Sequence, residues 1–143
     1  MASFVKFHQF VEDVAAGVHA NALGADTDTL RCYLTNATPS QAASAVKADL
    51  AEISAGNGYT AGGPDMQNAA STTNGVITVT GSDATITASG GPVGPFRYIV
   101  LYNDTPTSPA DPLVGYWDYG SEVTLQDGES FTIDVGAALF TLG

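Results

Sequence analysis

The chain has 143 residues, the size of one ordinary domain and enough to bury a core without disulfide or metal staples. Four Lys and Arg against fifteen Asp and Glu give a formal net charge of −11, while charged residues make up 13% of the chain, about half the usual ~25%. The cations Lys6, Arg31, Lys47 and Arg97 are scattered, so the clustered positive charge that a nucleic-acid backbone or an anionic membrane surface requires is missing, and neither is expected as a partner.

No apolar run approaches the ~20 residues of a membrane-spanning helix. The start Met1-Ala2-Ser3-Phe4 lacks a basic leader, and Glu12-Asp13 interrupts the apolar stretch, so no signal peptide is read there. Synthesis in a reducing cytoplasm is the expectation. The single cysteine, Cys32, has no intrachain partner and reads as a small core hydrophobe.

In chain order, residues 4 to about 20 read as an amphipathic helix. Phe4, Phe7, Val11, Val14 and Val18 recur at helical spacing within roughly 80° of arc, and Phe10 widens the stripe. Ser3 reads as its N-cap and Gly24 as its stop. The stripe either covers the domain's own sheet or docks on a partner. Leu30–Thr35 alternates as a half-buried strand. Thr38-Pro39-Ser40-Gln41 carries a helix-start signature, and Ala43, Val46, Leu50 and Ile53 continue it. A second short helix is therefore expected within 39–54, ending at Gly56-Asn57-Gly58.

From Tyr59 onward, turn residues punctuate short β-prone runs. These are Val76–Thr80, Ala84–Ala88, Phe96–Tyr102, Leu113–Tyr119, Glu122–Leu125, Glu129–Val135 and Ala138–Leu142. With Leu30–Thr35 and a short run at Tyr59–Ala61 they make about eight or nine strands, spaced as in a sandwich or barrel rather than in βαβ units. Segment 62–75 reads as a long surface loop. Around Asp127-Gly128 a hairpin is expected with a three-residue loop, Gln126 to Gly128. That register puts Val123, Leu125, Phe131, Ile133 and Val135 on one face, with Gly128 at positive φ in a G1 bulge. The whole chain, 1–143, reads as one domain: a helix in 1–24, then a β-sandwich over 30–143 with the short helix inside it. No tandem repeat is present.

The residues for chemistry are sparse. His8 and His19 lie eleven positions apart, roughly 16 Å along a helix, too far to share a metal. Asp26-Thr27-Asp28 departs from a calcium loop in having no Asp or Asn at 30, no Gly at 31 and no downstream Glu. Asp104 and Asp111 flank a proline-stiffened loop that reads as turns bonded to their own backbone. The glycines at 56–63 and 90–94 follow neither a dinucleotide nor a phosphate-loop pattern. No nucleophile–base constellation emerges, so no catalytic, cofactor-binding or metal residue is assigned and no enzyme is expected. In Tyr116-Trp117-Asp118-Tyr119, Tyr116 and Asp118 share one strand face, and Trp117 and Tyr119 the other. The readings left open are core packing, a protein interface and stacking on a glycan. The candidate protein contacts are thus Phe4, Phe7, Phe10, Val11, Val14, Tyr116, Trp117 and Tyr119.

Four stretches carry a resemblance: Ser3-Phe4-Val5-Lys6-Phe7-His8-Gln9-Phe10-Val11-Glu12-Asp13, Gly56-Asn57-Gly58-Tyr59-Thr60-Ala61-Gly62-Gly63, Gly94-Pro95-Phe96-Arg97-Tyr98-Ile99-Val100-Leu101-Tyr102-Asn103-Asp104-Thr105 and Val114-Gly115-Tyr116-Trp117-Asp118-Tyr119-Gly120. They resemble small structural proteins of tailed bacteriophages, most closely the Bordetella-phage-like jelly-roll cement or decoration proteins. The resemblance implies a mainly β, jelly-roll-like antiparallel sandwich, to which the N-terminal helix is an addition. It also implies binding to the outer surface of the phage major capsid protein shell and self-association, a dimer being favoured over a trimer. Residence on the virion follows, and no catalytic residue carries over. The alternative is a tail- or fibre-associated carbohydrate-binding adhesion module.

Overall fold

The computed structural model describes residues 3–24 and 27–143. The chain is mainly β, 44% strand and 11% helix, with every strand pair antiparallel. The elements are β1 (Val5–Lys6), α1 (His8–Ala15), α2 (Ala20–Leu23), β2 (Leu30–Thr35), β3 (Ala69–Thr73), β4 (Val76–Thr80), β5 (Ala84–Thr87), β6 (Val93–Asn103), β7 (Leu113–Leu125), β8 (Ser130–Ile133) and β9 (Phe140–Leu142). They form sheets of order β1-β7-β6-β2, β3-β4-β9 and β5-β8. The pairs β6–β7, β5–β8 and β4–β9 are nested one around the next in sequence.

The first sheet is covered on both faces, which explains why Tyr98 to Asn103 is buried at every position. Its register aligns Leu34, Ile99 and Trp117 on one face, and Tyr33, Val100 and Tyr116 on the other. The first face meets β8 and β9 through aromatic rings: Phe96 lies edge-on to Phe131 at 5.0 Å, and Phe4 bridges Trp117 at 5.0 Å and Phe140 at 5.6 Å. The second face and the free edge of β2 are covered by a strap, residues 36–65. Its Ile53 N–H donates to the Leu34 carbonyl, and Leu34 N–H donates to the Tyr59 hydroxyl. Gly63 passes so close to the Cys32 carbonyl that a Cβ would overlap it, and its φ of +75° also demands glycine.

The single N-terminal helix expected over 4–20 is instead three pieces. Val5 and Lys6 pair with Tyr116 and Gly115 as an edge strand, so the helix begins only at His8. Gly115, lacking a Cβ, makes room for the Phe4 ring. Gly17 at φ +81° follows the end of α1, Gly24 caps the end of α2 as the stop expected there, and the N-cap position of α1 is Phe7, so Ser3 does not cap it. The helix turns Phe10 and Asp13 inward and leaves Val11 at 55% exposure.

The helix expected within 39–54 does not form. Ser40 starts one turn, accepting from Ala43 N–H at its hydroxyl and from Ser44 N–H at its carbonyl. The backbone then turns to the loop before β7: Lys47 N–H donates to the Asp111 carbonyl, and Leu113 N–H to the Ala45 carbonyl. Only a 3-10 turn, Lys47–Asp49, remains, held by Asp49 accepting from the Ala45 and Val46 N–H groups. Long-range backbone bonds have replaced the intrahelical ones, and Leu50 is buried as part of the strap rather than on a helix stripe.

Three strand expectations also change. Tyr59–Ala61 is no strand; Gly56 and Tyr59 close a tight turn. Segment 62–75 is not all loop, because Ala69–Thr73 forms β3. Leu113 to Leu125 is one long strand rather than two. Gly128 does take positive φ, +91°, inside a turn closed by Glu129 N–H on the Gln126 carbonyl. However, β7 and β8 do not pair: the turn carries the chain from β6's neighbour to β5's. Leu125, Phe131, Ile133 and Val135 are buried and Val123 packs beside them, as expected. Burial fixed which side chains point inward but not which strand lies alongside, since in a sandwich two sheets share one interior.

Candidate interaction surface

The eight expected contact residues are not one patch. Phe7, Phe10 and Trp117 are core residues, at 0%, 0% and 5% exposure. Phe10 stands edge-on to Phe140 at 5.5 Å and against the His19 ring at 5.0 Å, while Phe7 lies 5.2 Å from Tyr116. Phe4, Val14 and Tyr116 are half-buried against the same core. Of the eight, only Val11 and Tyr119 are exposed, at 55% and 49%. Tyr119 leans on Phe131 at 5.4 Å. The chain itself covers the apolar stripe, because three phenylalanines are what α1 and β1 need to bind the sheet.

The burial of Trp117 bears on the glycan reading. A stacking platform offers the face of a ring to solvent, and Trp117 instead gives its surface to Phe4. Together with Val135, Gly136 and Leu139 these two line a shallow depression of about 360 Å³, with Asp134 at its rim.

The strap is held by a dense polar network. The Glu52 carboxylate accepts from Lys47 Nζ at 2.8 Å, the Tyr59 hydroxyl at 2.7 Å and Gly62 N–H at 2.6 Å. Lys47 Nζ also sits 5.0 Å above the Tyr33 ring, and Tyr102 donates to the Gly62 carbonyl. Burial raises the Glu52 pKa, but the bonds from Lys47, Tyr59 and Gly62 outweigh it and leave the group below its ordinary value. Burial pushes the Tyr33, Tyr59 and Tyr102 hydroxyls up, so all three stay protonated donors. The network fastens the strap; every member has its partner within it.

A second polar cluster lies under the helices. Asn103 donates to Asp28 at 2.9 Å and approaches His19 Nδ1 at 3.2 Å, all three being buried. His19 Nε2 and Asp13 Oδ2 are buried with no hydrogen-bond partner among the described residues. Burial lowers the His19 pKa against the opposing pull of Asp13 and Asp28. The two histidines no longer share one helix, since the chain breaks between α1 and α2. Of the Asp26-Thr27-Asp28 element, Asp26 lies outside the described residues.

Charge placement is the clearest surface feature. Three of the four cations are used in intramolecular pairs: Arg31 with Asp104, Lys47 with Glu52 and Arg97 with Asp118. The Arg97 bond to Asp118 lowers the Asp118 pKa and raises that of Arg97. The Asp104–Asp111 loop has its positive charge supplied by Arg31, and burial followed by the Asp104 charge raises the Asp111 pKa. Apart from Lys6, the remaining charged groups are carboxylates, with Glu122, Asp127, Glu129 and Asp134 all exposed after Arg97. Cys32 is fully buried, which pushes its thiol pKa far up and removes it as a nucleophile. Among the described residues, no three His, Cys, Asp or Glu side chains gather as a metal ion would need, and no helix is long and apolar enough to cross a membrane. Comparison with protein-family models, with curated proteins and with solved structures gave no match.

Proposed function

We propose that the chain is a non-enzymatic structural protein of a tailed-bacteriophage virion, which binds the outside of the major capsid protein shell and cements or decorates it. The observation that carries the reading is the charge layout on a tightly tied scaffold. Arg31, Lys47 and Arg97 are paired internally, leaving a surface whose free charges are almost all carboxylates. Such a surface keeps an abundant protein soluble before assembly and is repelled from the DNA-filled interior of a head. The four stretches that resemble cement proteins support the same reading: three of them contain β1 or lie along β6 and β7 of the first sheet, and the fourth lies in the strap. The nested pairing of β6–β7, β5–β8 and β4–β9 supports a jelly-roll-like winding. Docking falls to what remains accessible: Val11, Tyr119 and the half-exposed Phe4, Val14 and Tyr116. Binding at many symmetry-related sites lets a modest contact suffice when copies are linked.

Copy number tests this reading. Quantitative mass spectrometry of purified virions should find the chain in hundreds of copies, in fixed ratio to the major capsid protein. A handful of copies, or loss of the protein on washing intact particles, would refute it.

A further inference from the structure

Strands β3 and β4 form a hairpin that the rest of the molecule leaves mostly wet: β3 is exposed at four of its five positions. The turn between them, Asn74-Gly75, has φ of +53° and +78°, and Thr73 pairs with Val76 across it. That is a two-residue connection with positive φ at both positions, in which the flanking pair exchanges both hydrogen bonds. Antiparallel pairs then alternate. Thr73, Ser71 and Ala69 direct their backbone groups to β4, and Ala70 and Thr72 direct theirs outward. Because β3 ends its sheet, those outward N–H and C=O groups have no strand partner among the described residues.

Native sheets protect such an edge with charge, proline or a bulge. This one has none of the three; α2 packs alongside β3 but leaves four of its five positions exposed. From Met66 to Ser82 there is no Asp, Glu, Lys, Arg or Pro, and the β3–β4 register runs unbroken. The face around the edge, with Ser71, Thr73, Val76, Thr78 and Thr141, is uncharged too, on a chain of net charge −11.

We propose that β3 is the surface through which two copies of this chain associate, edge to edge and antiparallel, about a two-fold axis at Ser71. Ala70 of one copy then exchanges both backbone hydrogen bonds with Thr72 of the other, and Ser71 faces its counterpart. The occupant follows from charge and symmetry. Two molecules of like charge approach most easily where neither carries any, and a strand edge centred on one residue is its own complement under a two-fold. A basic partner would find no carboxylate on this edge. The proposal refines the dimer expected of a cement protein, but it rests on the β3 edge and stands if shell binding fails.

The test uses the full chain and sedimentation equilibrium. Wild type should form a dimer. Ser71 is exposed, so Ser71→Asp and Ser71→Lys leave the monomer's fold intact, as circular dichroism would check. Each sets like charges opposite one another and should weaken the dimer about tenfold. Mixing the two variants should restore association. Independently, Ser71→Cys should oxidise to a covalent dimer, because directly opposed residues of a pair not exchanging hydrogen bonds lie about 4.5 Å apart, within disulfide reach. Buried Cys32 does not compete. A wild type that stays monomeric to millimolar concentration overturns the proposal. So does association unaffected by either charge or lost with only one sign of charge, since a two-fold pair is repelled by both.

Discussion

Two hairpins of this molecule share a backbone pattern and little else. In β6–β7 the strands have 11 and 13 residues, both faces of the sheet are covered, and the register shifts at three places to follow the packing. In β3–β4 both strands have five residues, β3 faces water at four of its five positions, and the register is regular. The first is held by what lies above and below it. The second is held by its turn, by the ladder of β4 with β9 and by Ala70, Ile77 and Val79 packed on the core, with α2 beside β3. A covered hairpin is a finished structural element, whereas an uncovered one with a bare edge is available to another molecule.

Mutations can sharpen that contrast. The largest effect should come from Phe96→Ala in β6, which removes a fully buried ring from Phe131 and should cost about 3–5 kcal/mol in urea denaturation. A loss below ~1 kcal/mol would mean that this face does not hold the hairpin. Next is Glu52→Gln in the strap. It removes the charge opposite Lys47 and turns an amide donor toward groups that need an acceptor, for about 1–3 kcal/mol. Retention of full stability would show that the strap is held by Leu50 and Tyr59 packing alone.

Acid should act on the same covered side of the molecule. His19 is held below its ordinary value of 6.5 by burial, so the unfolded chain binds its proton first. Stability from neutral His19 is complete above pH 6.5 and declines as pH falls through that value toward the folded pKa. Glu52, also depressed, contributes above its ordinary 4.5 and is lost as pH falls through its lower folded value. Melting temperatures should therefore fall in two stages on acidification. His19→Asn should flatten the first stage only, and an unchanged first stage would assign it elsewhere. The smallest effect should be Val76→Ala at the tip of β4, 39% exposed, within about 0.5 kcal/mol. A larger loss in dilute monomer would show that the β3–β4 hairpin is covered after all.

Why some of this was legible in the sequence and some was not has a physical reason. Runs such as Tyr98–Tyr102 read as strands because a β-strand buried on both faces has to be apolar at successive positions. Ala69–Thr73 did not, because this edge strand turns only Ala70 toward the core and so shows no apolar alternation. Phe4, Phe7 and Val11 fit a helical period, yet Phe4 and Phe7 flank a strand that β7 captured through Val5 and Lys6. The Thr38–Gln41 helix start was overruled by backbone bonds to Asp111 and Leu113, more than sixty residues away. The inward side of Leu125 and Phe131 was readable from alternation, and their different sheets were not. The contact residues suffered from the same ambiguity: an aromatic such as Trp117 or Phe10 looks alike in sequence whether it serves a core or a partner.

The most direct test of the account is a cryo-EM map of the mature tailed-phage virion in which this chain is proposed to reside. The account predicts a β-sandwich density on the outer surface of the shell at symmetry-related positions, in contact with the major capsid protein. A shell surface bare of this chain, or density confined to the tail, would contradict it.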